Sequence, residues 1–162
     1  MQIKETFLNL TKTYKNAINR LEKLFDLEFE KAAKLINSSD GHIVVCGMGK
    51  SGLVGRKISA TLASTGTPSY FLHPGEAIHG DLGIVQSKSI IILISYSGET
   101  DEILALLPAL KRLNVKIIAM TGEFNSPVIA IILTFNLFNA GKSAKISSVS
   151  PEYDIKIIML FD

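Results

Sequence analysis

Ser95-Tyr96-Ser97-Gly98-Glu99-Thr100 sets three hydroxyls within six residues, at Ser95, Ser97 and Thr100. Gly98 lets the backbone come close to a ligand. The stretch follows an apolar run and opens a helical pattern, where free N–H groups and the helix dipole favour negative charge. Hydroxyls combined with backbone donors suit a phosphate monoester. A helix cap needs one hydroxyl, and here there are three, so phosphate binding explains the pattern better than capping alone. Glu99, Asp101 and Glu102 crowd the same helix start. Acids there complement the dipole, but all of them pointing at a phosphate would repel it. At most one faces the ligand, and that one needs a chemical task, for which a carboxylate base is the natural candidate.

Two further stretches carry reactive side chains. Gly47-Met48-Gly49-Lys50-Ser51-Gly52 fits a G-x-G-x-x-G turn between a strand and a helix. A dinucleotide site also wants an acid ending the second strand, and that strand ends Phe71-Leu72-His73, which argues against it. A Walker A loop fails as well, because its first glycine would stand at Val44. The turn can still bring Ser51 and backbone N–H groups to an anion, with the charge of Lys50 beside it. The loop from His73 to Asp81 holds His73 and His79 with Glu76 and Asp81, which points to metal binding or acid–base work. The two histidines lie six positions apart, which is not a standard helical ligand spacing.

These stretches need elements to place them. Ile3 to Ile36 reads as helix, with apolar residues spaced between charges and neither Gly nor Pro. So long a helix ahead of the first strand packs either on a neighbouring subunit or on its own sheet. Strands are expected at His42 to Cys46, Ser69 to Leu72, Ser89 to Ile94 and Val115 to Met120. Helices are expected at Ser51 to Ser64 and Asp101 to Leu113. The third strand is apolar on both faces and therefore central. Strands alternating with helices at short spacing imply an α/β fold, a parallel sheet covered on both faces. Ligands of such sheets bind at the carboxyl ends of the strands, and every polar cluster above lies just after a strand. Beyond about Val128 the periodicity is lost. Two apolar runs, Ile129 to Phe138 and Ile155 to Phe161, flank a small, polar stretch.

Composition sets the outer bounds. The chain has 162 residues, 47% hydrophobic and 20% charged, enough for one domain with a substantial core. A formal charge of +2 and the absence of a Lys/Arg stripe argue against nucleic acid. The single Cys46 rules out an intrachain disulfide and reads as a buried thiol. No apolar leader and no uncharged run of about 18 residues is visible, so the expectation is a cytoplasmic protein with no membrane partner.

Four motifs in order resemble one family: Cys46 to Gly52, Ala63-Ser64-Thr65-Gly66-Thr67-Pro68, His73 to Asp81, and Ser95 to Thr100. Together they resemble the sugar isomerase (SIS) domain of bacterial D-arabinose-5-phosphate isomerases, from about Leu21 to Pro127. The resemblance implies a three-layer α/β/α sandwich with a flavodoxin- or Rossmann-like sheet, assembling as a homotetramer. It implies interconversion of D-ribulose 5-phosphate and D-arabinose 5-phosphate through an enediol, the first step toward Kdo in lipopolysaccharide or capsule. It also implies that Lys50 and Glu102 are catalytic, and that Gly66, Thr67 and His79 contact substrate. No cofactor is required on this reading; zinc binds at His73 and inhibits.

The domain reading is a helical segment over 1–36, the SIS domain over 37–128 and a divergent tail over 129–162. The acidic segment, the Thr-Thr pair and the long helix that follow the fourth strand in the family are not found. Lys142-Ser143-Ala144-Lys145 falls where the acidic segment belongs. The paired CBS modules are absent too. A glutamate and a histidine of the proposed catalytic set are thus missing. The expectation is a truncated or frame-shifted product with poor solubility or a non-native oligomer. The alternative function is a non-catalytic, regulatory sugar-phosphate-binding SIS domain.

Overall fold

The computed structural model describes residues 2–24, 27–122, 127–131 and 156–160. Four of its strands run parallel: β1 (Ile43–Gly47), β2 (Ser69–Leu72), β3 (Ile90–Ile94) and β4 (Lys116–Thr121). A fifth, β5 (Lys156–Leu160), lies antiparallel to β4, with Ile157 opposite Met120. The order across the sheet is β2-β1-β3-β4-β5. The parallel part meets the sequence expectation. The antiparallel β5 lies within the apolar run Ile155 to Phe161, a short run that periodicity alone does not tell from a buried helical segment. The polar stretch 141–150 lies outside the described residues.

Alternation along each strand divides the core in two. Ile43, Val45, Ile90, Ile92 and Ile118 point to one face, where Ala32 and Leu35 of α2 (Leu27–Asn37) cover them together with Ile58 and Leu62 of α3 (Gly49–Ser64). Val44, Cys46, Ile91, Leu93, Ile117 and Ala119 point to the other. There Ile103, Leu106, Leu107 and Leu110 of α5 (Asp101–Arg112) and Ala77 of α4 (Pro74–Ile78) pack over them. Each fully buried Ile, Leu or Val contributes about 1.5–3 kcal/mol, so β1 and β3, buried on both faces, carry much of the stability. This is the three-layer α/β/α arrangement.

Two close approaches tie α3 to the sheet. A Cβ on Gly52 would sit 2.6 Å from the Gly47 carbonyl oxygen, so only glycine lets the helix start this near the strand it leaves. Farther along, the Ser69 hydroxyl donates to the Ile43 carbonyl at 2.8 Å and meets the Ser59 hydroxyl at 3.1 Å.

The long amino-terminal helix is described in two pieces, α1 (Ile3–Leu24) and α2, with residues 25 and 26 outside the description. Of the two packing alternatives for it, the one on the chain's own sheet holds for α2. α2 lies on the chain's own sheet through Ala32 and Leu35, whereas along α1 residues 2–10 and 12–19 are all exposed. The loop after β2 holds more helix than one turn: α4, then a 3-10 turn over Asp81–Ile84.

Candidate functional site

The strand order itself makes the site. From β1 the chain crosses to β2 on one side, then returns to β3 on the other. The connections leaving β1 and β3 therefore diverge and open a crevice at the carboxyl edge, the switch point at which open α/β sheets take ligands. Gly47 and Ile94 end those strands side by side in register. The two motifs richest in phosphate chemistry, Gly47 to Gly52 and Ser95 to Thr100, thus become neighbours although 43 positions separate Gly52 from Ser95.

Both stretches open helices, and neither helix is closed by a side chain. Met48 precedes α3 and Thr100 precedes α5, and neither makes a side-chain cap bond. In α5 the Ile103 N–H donates to the Thr100 carbonyl at 3.0 Å, which leaves the N–H groups of Asp101 and Glu102, like those of Gly49 to Ser51 in α3, without an intrahelical acceptor, so two sets of donors and two positive dipole ends converge on the crevice. Gly49, at φ 53, makes the turn that lets α3 start. Lys50 and Glu102 are the second residues of α3 and α5. Lys50 is exposed and Glu102 half-buried.

The hydroxyls of the second loop divide their work. Ser95 is buried; its Oγ accepts from the Gly98 N–H at 3.1 Å and lies 2.9 Å from Thr100 Oγ1. Ser97 is exposed and its Oγ accepts from the Glu99 N–H at 3.2 Å. Ser95 and Thr100 therefore shape the loop from inside while Ser97 faces out. Gly98, at φ 64, takes the left-handed turn between them. The next segment props the loop from behind. The Thr121 hydroxyl and the Gly122 N–H both donate to the Tyr96 carbonyl, at 3.0 and 2.9 Å, and the Val128 N–H donates to the Gly98 carbonyl at 3.0 Å. In the sequence Thr121 is marked only by being a polar residue next to the expected fourth strand. Nothing in the spacing signals the contributions of Gly122 and Val128, because both bonds use backbone donors.

Ser51 joins the same edge on the first turn of α3. His73 and His79 flank α4, at its amino and carboxyl ends. Five helical residues separate them, about 9 Å along the axis. The His73 ring leans on Gly75, its Nδ1 3.3 Å from where a Cβ would stand. Among the described residues no three His, Cys, Asp or Glu side chains gather to hold a metal. His73 alone offers one ligand, so these residues do not form a closed zinc site.

Gly66 and Thr67 are not brought to this crevice. They follow α3 at the amino end of β2, and α3 with its 16 residues spans about 24 Å. Within one chain they lie at the opposite end of the sheet from Lys50. Cys46 takes no part: burial pushes its thiol up to about 12, which keeps it protonated and unreactive at neutral pH.

The sequence matches the SIS domain family over residues 35–130. It is 56% identical over 111 residues to arabinose 5-phosphate isomerase KpsF of Escherichia coli O6:H1, covering 68% of this chain and 34% of that protein. It is 49% identical to arabinose 5-phosphate isomerase KdsD of Pseudomonas aeruginosa, over 70% of this chain and 35% of that one. The chain thus spans about a third of the length of these curated relatives. A solved Escherichia coli CFT073 structure in complex with arabinose 5-phosphate superposes with a TM-score of 0.70 at 41% identity, covering 81% of this chain and 71% of that one.

Proposed function

The chain belongs to the SIS domain family, and from that premise we propose that it binds D-arabinose 5-phosphate and D-ribulose 5-phosphate and interconverts them. The observation that supports this most directly is the pair of uncapped helix starts at the switch point, each with a reactive second residue, Lys50 and Glu102. The phosphate sits against the Ser95-to-Thr100 loop and the N–H groups that open α5. The Ser97 hydroxyl and the N–H groups and Ser51 hydroxyl of α3 complete its coordination.

Aldose and ketose differ by one proton on carbon and one on oxygen. The Glu102 carboxylate removes the proton from the carbon beside the carbonyl, giving an enediolate, and returns it to the neighbouring carbon. The Lys50 ammonium gives a proton to the oxygen on which charge develops and takes back the one released by the neighbouring hydroxyl, so the oxygen proton moves as the carbon proton does. His79 borders the same edge and contacts the sugar hydroxyls. None of these steps passes through a metal; we infer that zinc at His73 inhibits. Gly66 and Thr67 reach the sugar only from a second chain, which fits the homotetramer the resemblance implies. Cytoplasmic Kdo synthesis for lipopolysaccharide or capsule is the pathway this reaction would serve.

The deciding experiment assays conversion of arabinose 5-phosphate to ribulose 5-phosphate by this chain, with binding of both sugars measured in parallel. Turnover is expected, and a Glu102→Gln variant should lose roughly 10²–10⁴-fold in kcat while still binding. Binding without turnover would replace the enzyme reading with a regulatory sugar-phosphate sensor. Neither binding nor turnover would sink both.

A further inference from the structure

One carbonyl of the Ser95-to-Thr100 loop is held by two donors from the end of β4. The Thr121 hydroxyl and the Gly122 N–H reach the Tyr96 carbonyl together, at 3.0 and 2.9 Å. Burial does not call for this doubling. Tyr96 is 61% exposed, and the Gly122 N–H alone satisfies its carbonyl. The hydroxyl of Thr121, a residue only 2% exposed, is directed there nonetheless. The ladder does not call for it either. Successive residues of a parallel strand bond alternately to the neighbours on its two sides. The Ser95 N–H takes the Met120 carbonyl, so the Gly122 N–H would next take the carbonyl of Ser95. It goes one residue further, to Tyr96. The Tyr96–Ser97 peptide is thus turned out of the ladder's regular course and held there.

That turn aims the other side of the peptide. A trans peptide is planar, with its N–H and C=O pointing opposite ways. With the Tyr96 carbonyl drawn to the end of β4, the Ser97 N–H points away from β4. In the order β1-β3-β4, away from β4 is toward β1, whose Gly47-to-Gly52 turn forms the other wall of the crevice. Ser97 is exposed, and its N–H meets no acceptor among the described residues. The next two N–H groups are already engaged inside the loop, that of Gly98 with Ser95 Oγ and that of Glu99 with Ser97 Oγ.

We propose that Thr121 is a positioning residue for the sugar phosphate: its hydroxyl, with the Gly122 N–H, fixes the Tyr96–Ser97 peptide so that the Ser97 N–H donates to the phosphate. The inference rests on the sugar-phosphate reading of the crevice and adds to it a residue that itself touches no ligand. Without the hydroxyl a single donor holds the peptide, which is then free to rotate toward the regular ladder. Rotation takes the Ser97 N–H off the anion and brings the Tyr96 carbonyl, a negative dipole end, toward it.

Calorimetric titration of the full chain with arabinose 5-phosphate tests this. Thr121→Val keeps the shape of the side chain and removes the hydroxyl, whereas Thr121→Ser keeps the hydroxyl. Valine should weaken binding about tenfold, and serine should stay within about twofold of the wild type. In amide NMR of the wild type, the Ser97 N–H proton should move downfield as arabinose 5-phosphate binds, and at saturation the shift should be smaller in Thr121→Val. If Thr121 served stability alone, the valine variant would unfold at a lower temperature and bind as tightly as the wild type. Wild-type affinity in Thr121→Val, affinity as weak in Thr121→Ser as in Thr121→Val, or a wild-type Ser97 amide that does not respond to bound arabinose 5-phosphate would each overturn the proposal and leave the sugar-phosphate reading standing. A wild type that binds neither arabinose 5-phosphate nor ribulose 5-phosphate would remove both.

Discussion

Ser95 and Ser97 are the same residue type two positions apart, yet the fold gives them different tasks. The Ser95 hydroxyl is buried and holds both the Gly98 N–H and the Thr100 hydroxyl. Removing it strands two polar groups, which costs about 1–3 kcal/mol. Ser97 is exposed and holds only the Glu99 N–H. Ser95→Ala should therefore lower the unfolding midpoint and weaken sugar-phosphate binding together. Ser97→Ala should stay within about 0.5 kcal/mol of wild-type stability and weaken binding alone. Denaturant titrations with parallel binding isotherms distinguish these outcomes. Equal stability losses in the two variants would mean that the loop is not held from within as described.

Among the elements, α5 does two jobs, and its sequence shows a tension between them. Its first turn, with Asp101 and Glu102, faces the crevice, and its apolar side buries Ile103, Leu106, Leu107 and Leu110 against the sheet. Pro108 interrupts it from the exposed side, with no N–H to give the Leu104 carbonyl. Pro108→Ala restores that donor without touching the buried face. It should stabilise the chain by about 1–3 kcal/mol, read as a higher thermal midpoint. A lower midpoint would show that the proline serves the packing of α5. α1 stands in contrast: its apolar residues are exposed among the described residues. Both helices are amphipathic in sequence, and periodicity alone does not say which buries its stripe at home.

For the molecule as a whole, the strand order decides where a ligand can act. Because β1 and β3 are neighbours with diverging connections, the two glycine-bearing loops stand side by side at one edge of the sheet. A ligand that binds only this assembled edge stabilises the folded state by mass action, about 2.7 kcal/mol at a hundred times its dissociation constant. For a domain of this size that is roughly 5–10 °C in midpoint. Arabinose 5-phosphate should produce such a shift, and unphosphorylated arabinose should not. Equal shifts from both sugars would remove the phosphate from the site.

Much of this was readable before folding. The β-branched run Ile43 to Cys46 and the solid apolar run Ile90 to Ile94 specify buried strands, because residue type along a short run is a local property. Gly98 between two serines and a threonine announces a tight, hydroxyl-lined turn for the same reason. Local patterns do not carry distance across the sheet. That Gly47 stands beside Ile94, that Thr121, Gly122 and Val128 brace the loop through Tyr96 and Gly98, and that Gly66 and Thr67 fall at the far end from Lys50 all follow from strand order and helix length. The backbone bonds that brace the loop use N–H and C=O groups that every residue but proline carries in full, so no residue type could have announced them. Residue order and type were enough to mark the strands, the helices and the side chains able to meet a phosphate, since each depends on near neighbours in the chain. Folding in three dimensions, which joins residues far apart in the chain, sorted those side chains into the ones that face the crevice and the ones that only shape it.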